Sequence, residues 1–199
     1  VAGSTHEGEE EAILEAVRSL KGRRIRTAIV PRHPERFDTV ASLLDRKRVS
    51  WERFSGTGDG GTPDADFLLV DAMGVLDGFY ALADAAFVGG SLVPVGGHNL
   101  LEPAMHGVPV LTGPYTHNFR DIAFRLTEAG GCIRVDSADE VESILRSLLD
   151  DGSLRERAGK AALEALHRAS GASWRNQQAI SGIVQTGTDG RRESDSVMP

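Results

Sequence analysis

The sequence predicts an α/β domain in which a parallel sheet carries helices on both faces. Short apolar runs rich in Val, Ile, Leu and Phe recur along the chain, separated by stretches with helical spacing of their apolar residues. Strands alternating with helices in this way imply a parallel sheet covered on both sides. The composition agrees, since 199 residues with 40% hydrophobic and 26% charged side chains suit a folded domain with a sizeable core, or two small ones.

Taken in order, Val1–Thr5 reads as the end of a strand running into a loop, which implies that the chain starts within a longer protein. Glu9–Leu20 is a helix: Ile13, Ala16, Val17 and Leu20 form one apolar stripe. Glu7, Glu9, Glu10 and Glu11 crowd its positive end, while Arg18 and Lys21 precede the stop at Gly22. Thr27–Val30 is a buried strand ended by Pro31. A helix over Glu35–Arg46, a strand over Val49–Phe54, a Gly/Thr/Asp loop to Asp64 and a strand over Phe67–Val70 follow. Gly74–Leu82 reads as a short helix, Ala86–Val88 as a strand, Glu102–His106 as a helix start and Val108–Leu111 as a strand. A helix over Asn118–Ala129, a strand over Cys132–Val135 and a helix opened by the capping box Ser137 to Glu140 complete the alternation. After Asp150 the pattern is helical only, over Leu154–Ala169 and Ser173–Val184. Thr186–Pro199 has almost nothing to bury and reads as a disordered tail, leaving residues 1–185 as the domain.

The charge balance excludes one class of partner. With 22 Lys and Arg against 29 Asp and Glu, the net charge is −7. Wrapping nucleic acid needs clustered cations that this chain does not have in excess. A single cysteine, Cys132, excludes an internal disulfide and a Cys-cluster metal site, and fits a reducing compartment. The longest uncharged stretch, Ala85–Leu101, contains four Gly, a Pro, a His and an Asn, so it is not a membrane span. No segment has the pattern of a signal peptide.

Ligands of an open parallel sheet bind beyond the carboxyl ends of its strands, and four loops there are unusual. Ser4-Thr5-His6-Glu7-Gly8 offers two hydroxyls and an imidazole before a helix, either to an anion or as an ordinary N-cap. Pro31-Arg32-His33-Pro34 places Arg32 at the mouth of the sheet, where a guanidinium can clamp phosphate or carboxylate or simply meet solvent. Asp71-Ala72-Met73-Gly74-Val75 offers close backbone approach at Gly74, with Met73 either covering a base or sugar or filling the core. The strongest signal is Gly89-Gly90-Ser91 through Gly96-Gly97-His98-Asn99-Leu100-Leu101-Glu102, whose Gly pairs suggest bare amides for phosphate. Glu102 could accept hydrogen bonds from ribose hydroxyls, or form a capping box with Asn99. The sequence lacks G-x-G-x-x-G, P-loop and G-x-S-x-G patterns, and its histidines lack metal-ligand spacing.

Together, Gly3-Ser4-Thr5-His6-Glu7-Gly8-Glu9-Glu10, Val30 to Phe37, Asp71-Ala72-Met73-Gly74, Gly89 to Ala104 and Gly113 to Phe119 resemble, in order and spacing, the C-terminal half of the 3-deoxy-D-manno-octulosonic acid (Kdo) transferases. The resemblance spans about residues 1–185. It implies a Rossmann-like, donor-binding domain of a GT-B glycosyltransferase, which takes Kdo from CMP-Kdo to a lipid A precursor without a metal or other cofactor. Carried over by position, the donor contacts are Pro31, Arg32, Met73, Gly74, Val75, Asn99, Leu100, Leu101 and Glu102. The family usually has Glu where this chain has Val75, so only backbone contacts carry over there. The resemblance places the catalytic base, the acceptor site and the membrane association in an N-terminal half absent from this sequence. The parent protein is then expected at the cytoplasmic face of the inner membrane and this fragment in solution, inactive alone. The competing readings are a GT-B sugar-nucleotide epimerase acting on a uridine diphosphate sugar, and a binding module without catalysis.

Overall fold

The computed structural model describes residues 1–20, 22–56 and 65–168. The chain divides into Val1–Ala165 and Leu166–Pro199, and the sheet with its cavities belongs to the first unit. The helix expected over Ser173–Val184, the tail from Thr186 and the domain end at residue 185 lie outside the described residues.

The predicted alternation is present. The strands are β1 (Ala2–Thr5), β2 (Thr27–Pro31), β3 (Trp51–Arg53), β4 (Phe67–Leu69), β5 (Ala86–Val88), β6 (Val110–Thr112) and β7 (Cys132–Arg134). All pair in parallel, in the order β3-β4-β2-β1-β5-β6-β7. The helices are α1 (Glu9–Ser19), α2 (Phe37–Lys47), α3 (Leu76–Ala81), α4 (Leu101–Met105), α5 (Arg120–Glu128) and α6 (Ala138–Asp150), and α7 runs on from residue 152.

Period-two alternation along the central strands sends side chains to opposite faces. In β5, Ala86 and Val88 join a core with Leu100, Ala104, Leu126 and Ala162, whereas Phe87 joins the opposite core with Ile13, Ala16, Val141 and Leu148. Helices α4, α5 and α7 therefore cover one face and α1 and α6 the other. On the α1 side, Leu14 packs with Ile29, Leu69 and the α2 residues Val40, Ala41 and Leu44.

Several element ends differ from expectation, each for a local reason. Pro34–Arg36 forms a 3-10 turn before α2, since its proline supplies the φ of a first turn but no N–H. Helix α1 stops at Ser19 and is preceded by Gly8 at φ 91°, with no side-chain cap. The Ser4 and Thr5 hydroxyls thus do not serve as an N-cap. At α6 half of the expected box forms, Ser137 Oγ accepting from the Glu140 N–H at 3.2 Å, while the Glu140 carboxylate accepts from the Asp136 N–H at 2.8 Å and not from Ser137.

Candidate functional site

The strand order reverses between β1 and β5, because the chain leaves β1 toward β2 and later crosses to β5 on the other side. Loops leaving two such strands diverge and open a crevice at the carboxyl edge of the sheet. A cavity of about 440 Å³ lies there. Ser4 from the end of β1, Val30 and Pro31 from β2 with Arg32 just after it, and Ala72, Met73, Gly74, Leu76 and Asp77 after β4 form part of its wall. His98, Asn99, Glu102 and Phe119 complete it. A larger cavity of about 700 Å³ opens around the amino ends of β1 and β2, among Ala2, Ile13, Leu20, Phe87 and Leu111. Its wall is mostly apolar and it lies away from the loops that enter helix N-termini, so the smaller and more polar cavity is the candidate site.

Two adjacent buried acids hold the loops around this cavity. Extending the apolar stripe of α1 back by one turn from Ile13 and Leu14 lands on Glu9 and Glu10, which are 0% and 1% exposed. Glu9 reaches the loop after β5: its Oε1 accepts from the N–H groups of Ser91 and Leu92, both at 2.9 Å. Its Oε2 accepts from Gly90 at 2.8 Å and His6 at 2.9 Å. Glu10 reaches the other way, accepting from Arg36 Nη1 at 2.5 Å and Nη2 at 3.2 Å. The Arg32 N–H donates to the Thr5 carbonyl at 3.0 Å, which ties the arginine loop to the end of β1.

This arrangement corrects one expectation. The Gly-pair loop does not present bare amides at its first turn, because the Glu9 carboxylate already occupies those of Gly90, Ser91 and Leu92. The Gly96 and Gly97 N–H groups donate to the Gly90 carbonyl, at 3.0 and 2.7 Å. Gly89 is required by crowding, since a Cβ there would stand 2.4 Å from the Ser4 carbonyl oxygen. The alternative capping box of Asn99 with Glu102 is not formed: the Asn99 Oδ1 accepts from the Leu101 N–H at 3.1 Å, and its Nδ2 donates to Glu102 Oε1 at 3.1 Å. Asn99 therefore orients the Glu102 carboxylate at the cavity wall.

A histidine cluster stands at the same edge. The Nε2 atoms of His6 and His98 are 2.8 Å apart, their rings parallel within 5°, and His33 meets His6 edge-on at 5.4 Å. One proton can sit between those two nitrogens, and a second would set like charges face to face. Burial, together with His6, Arg32 and His33, pushes His98 down to about 4. Burial lowers His6 as well, with His33 and Arg36 acting in the same sense. At neutral pH the pair is uncharged and offers a hydrogen-bonding imidazole, leaving Arg32 as the cation of the cavity wall. No group of three metal-ligating side chains forms a cation site among the described residues.

Of the predicted contacts, Pro31, Arg32, Met73, Gly74, Asn99 and Glu102 meet at the cavity. Met73 is 57% exposed at its rim and is therefore not a core filler. Val75, Leu100 and Leu101 do not form its wall, and the Leu100 side chain is buried in the core with Ala104 and Val88. Asp71 braces the Met73 loop, accepting from the Ser55 N–H at 2.9 Å and the Ser55 hydroxyl at 2.6 Å. Ser4, Asp77 and Phe119 were not among the predicted contacts. Ser4 had a signal in its hydroxyl beside a loop of ligand type, whereas Asp77 and Phe119 come from elements whose direction the sequence does not reveal.

No family model matches the chain. Over 175 residues, 86% of the chain, it is 43% identical to a 3-deoxy-D-manno-octulosonic acid transferase of Haemophilus influenzae. It is 37% identical to one of Bordetella pertussis over 183 residues. A crystal structure of the C-terminal CMP-Kdo binding domain of WaaA from Acinetobacter baumannii superimposes with a TM-score of 0.77 at 36% identity, covering 83% of this chain and 86% of that one. The chain belongs to the Kdo transferase family. It spans 41% and 42% of the length of the two curated relatives, so it corresponds to one part of such a transferase. The C-terminal domain of a group 1 family glycosyl transferase from Francisella tularensis shares the fold alone, with a TM-score of 0.56 at 11% identity. The architecture is the Rossmann-like C-terminal domain of a GT-B glycosyltransferase.

Proposed function

We propose that this domain holds the CMP-Kdo donor of a Kdo transferase, which passes Kdo to a lipid A precursor. The supporting observation is the likeness to a CMP-Kdo binding domain over most of both chains, joined to a polar cavity at the strand-order reversal with Arg32 in its wall. Within the cavity the side chains sort by charge. Ser4, Arg32 and the neutral His98 offer donors suited to the anionic part of the donor, whereas Asp77 and Glu102 offer acceptors suited to its hydroxyls.

In the proposed reaction an acceptor hydroxyl oxygen attacks the anomeric carbon of Kdo. The bond from that carbon to the phosphate oxygen breaks, and CMP leaves with the electron pair. Arg32 stabilises the charge that develops on the departing phosphate. A base of the N-terminal half removes the acceptor proton. Arg32 supplies the positive charge at the leaving group, so the proposed step uses no metal ion, and full-length activity is expected to survive chelation by EDTA.

No helix among the described residues is long and apolar enough to cross a membrane. In the proposed reading, work at the cytoplasmic face of the inner membrane belongs to the N-terminal half, where the lipid acceptor would bind.

Calorimetric titration of the 199-residue chain with CMP, UMP and UDP tests the reading. Preferential CMP binding is expected. Preference for UDP would replace it with a sugar-nucleotide epimerase, and Kdo transfer by this chain alone would overturn the assignment of the base to another domain.

A further inference from the structure

Ser4 is held in a conformation that ordinary strand residues avoid. Its φ is 54°, in the left-handed region, and it sits where the β1–β2 register shifts between Gly3 and Thr5. A bulge of this kind re-aims a side chain, and the left-handed conformation is strained for a residue with a Cβ. Glycine would meet the backbone requirement without that strain. Something other than the fold of the strand accounts for a side chain at this position.

Ser4 contributes to the wall of the polar cavity, beside Pro31, Arg32, His98 and Asn99. Its hydroxyl takes part in no hydrogen bond among the described residues, and so braces neither the bulge nor the loop. The strain therefore presents a free donor to the cavity, the pattern of a ligand-contacting residue. Charge sorting decides which part of the ligand it meets. Ser4 lies one residue before the end of the central strand β1 and shares the cavity with Arg32, which follows the neighbouring β2, while Asp77 and Glu102 would repel an anion placed beside them. At a strand-order reversal, phosphate sits over the ends of the central strands.

Resting on the donor-site reading, we propose that the Ser4 hydroxyl donates a hydrogen bond to a phosphate oxygen of the bound nucleotide, next to Arg32. The test is calorimetric titration of the 199-residue chain, wild type, Ser4→Gly and Ser4→Ala, with CMP and with cytidine, together with thermal melts. Wild type is expected to bind CMP more tightly than cytidine. Both variants should lose about tenfold in CMP affinity, the size of one hydrogen bond to a charged group, with cytidine affinity unchanged. Ser4→Gly should melt at a higher temperature than wild type because the backbone strain is relieved, and such a gain beside a loss of CMP affinity separates ligand contact from a structural role. CMP affinity unchanged in both variants overturns the proposal, as does an equal loss for CMP and cytidine. A wild-type chain that does not bind CMP overturns the donor-site reading itself, and the proposal with it.

Discussion

Glu9 Oε2 lies 2.8 Å from the amide nitrogen of Gly90, and that contact joins the first helix to the loop after β5. Both oxygens of this buried carboxylate accept two backbone N–H groups each. Glu9→Gln keeps the shape but turns an NH2 toward two of those donors. Buried donors left unsatisfied cost about 1–3 kcal/mol each, so the variant should lose roughly 3–5 kcal/mol. Urea unfolding checks this, and a loss below about 1 kcal/mol would show that the loop holds itself.

Arg36 and Glu10 should behave as a buried pair. The Glu10 side chain is 1% exposed and that of Arg36 18%. Removing the arginine alone, as in Arg36→Met, strands a buried carboxylate at a cost of about 3–5 kcal/mol. The double variant Arg36→Met/Glu10→Met should recover much of that loss, because no uncompensated charge remains. A double variant as unstable as the single one would contradict this.

The His6–His98 pair predicts a pH dependence with a definite sign. His98 titrates near 6.5 when unfolded and is pushed down to about 4 in the fold by burial and by His6, Arg32 and His33. Below pH 6.5 the unfolded chain takes up a proton that the native state refuses, so stability, complete above that pH, falls as the pH drops toward 4. The lowered His6 acts in the same direction. Melting temperatures measured from about pH 7 to about pH 4 should fall less steeply for His98→Gln than for wild type. Equal slopes would remove His98 as the cause.

Much of the architecture was legible in the sequence because burial imposes simple periods. Thr27–Val30 and Ala86–Val88 are short apolar runs between turn signals, and Ile13, Ala16 and Val17 mark one face of α1. The site was legible where a residue type is costly without a purpose, as with an arginine just beyond a buried strand or a methionine in a glycine turn. It was not legible where the same side chain serves two ends. Four acids at the start of α1 match the helix dipole equally well, and only extending the stripe back from Ile13 and Leu14 separates Glu9 and Glu10 from Glu7 and Glu11. Nor could the sequence show that Glu9 would occupy the amides that a glycine-rich loop otherwise offers to phosphate.

Arg32→Lys tests whether the cavity needs the fork of a guanidinium or only its charge. Lysine keeps a positive charge but loses the two parallel donors that match phosphate geometry. CMP affinity should fall about tenfold in Arg32→Lys and further in Arg32→Ala, since a bidentate charged contact exceeds one hydrogen bond. Arg32 is exposed and its side chain takes part in no hydrogen bond or ion pair among the described residues, so both variants should melt as wild type does. Equal affinity of Arg32→Lys and wild type would reduce the role of Arg32 to that of a point charge.

The seat of α7 depends on a close approach between two glycines. A Cβ built at Gly159 would stand 1.9 Å from the Gly107 carbonyl oxygen, a backbone atom with no flexible end to swing aside. Less than a turn further along the helix, Ala162 is buried against Gly131, where an added Cβ would meet the Ala162 Cα at 2.4 Å. Gly159→Ala must therefore lift the helix from the end of α4, opening the core that Ala162 and Ala165 share with Val110 and Leu126. Overpacking of this kind costs about 1–3 kcal/mol, more than the gain in helix propensity of roughly 1 kcal/mol from replacing glycine by alanine. The variant should accordingly melt below wild type, although the same substitution at an open helical site would raise the melting temperature. Because the contact lies on the helical face of the sheet and not at its carboxyl edge, CMP affinity measured well below the melting temperature should stay unchanged.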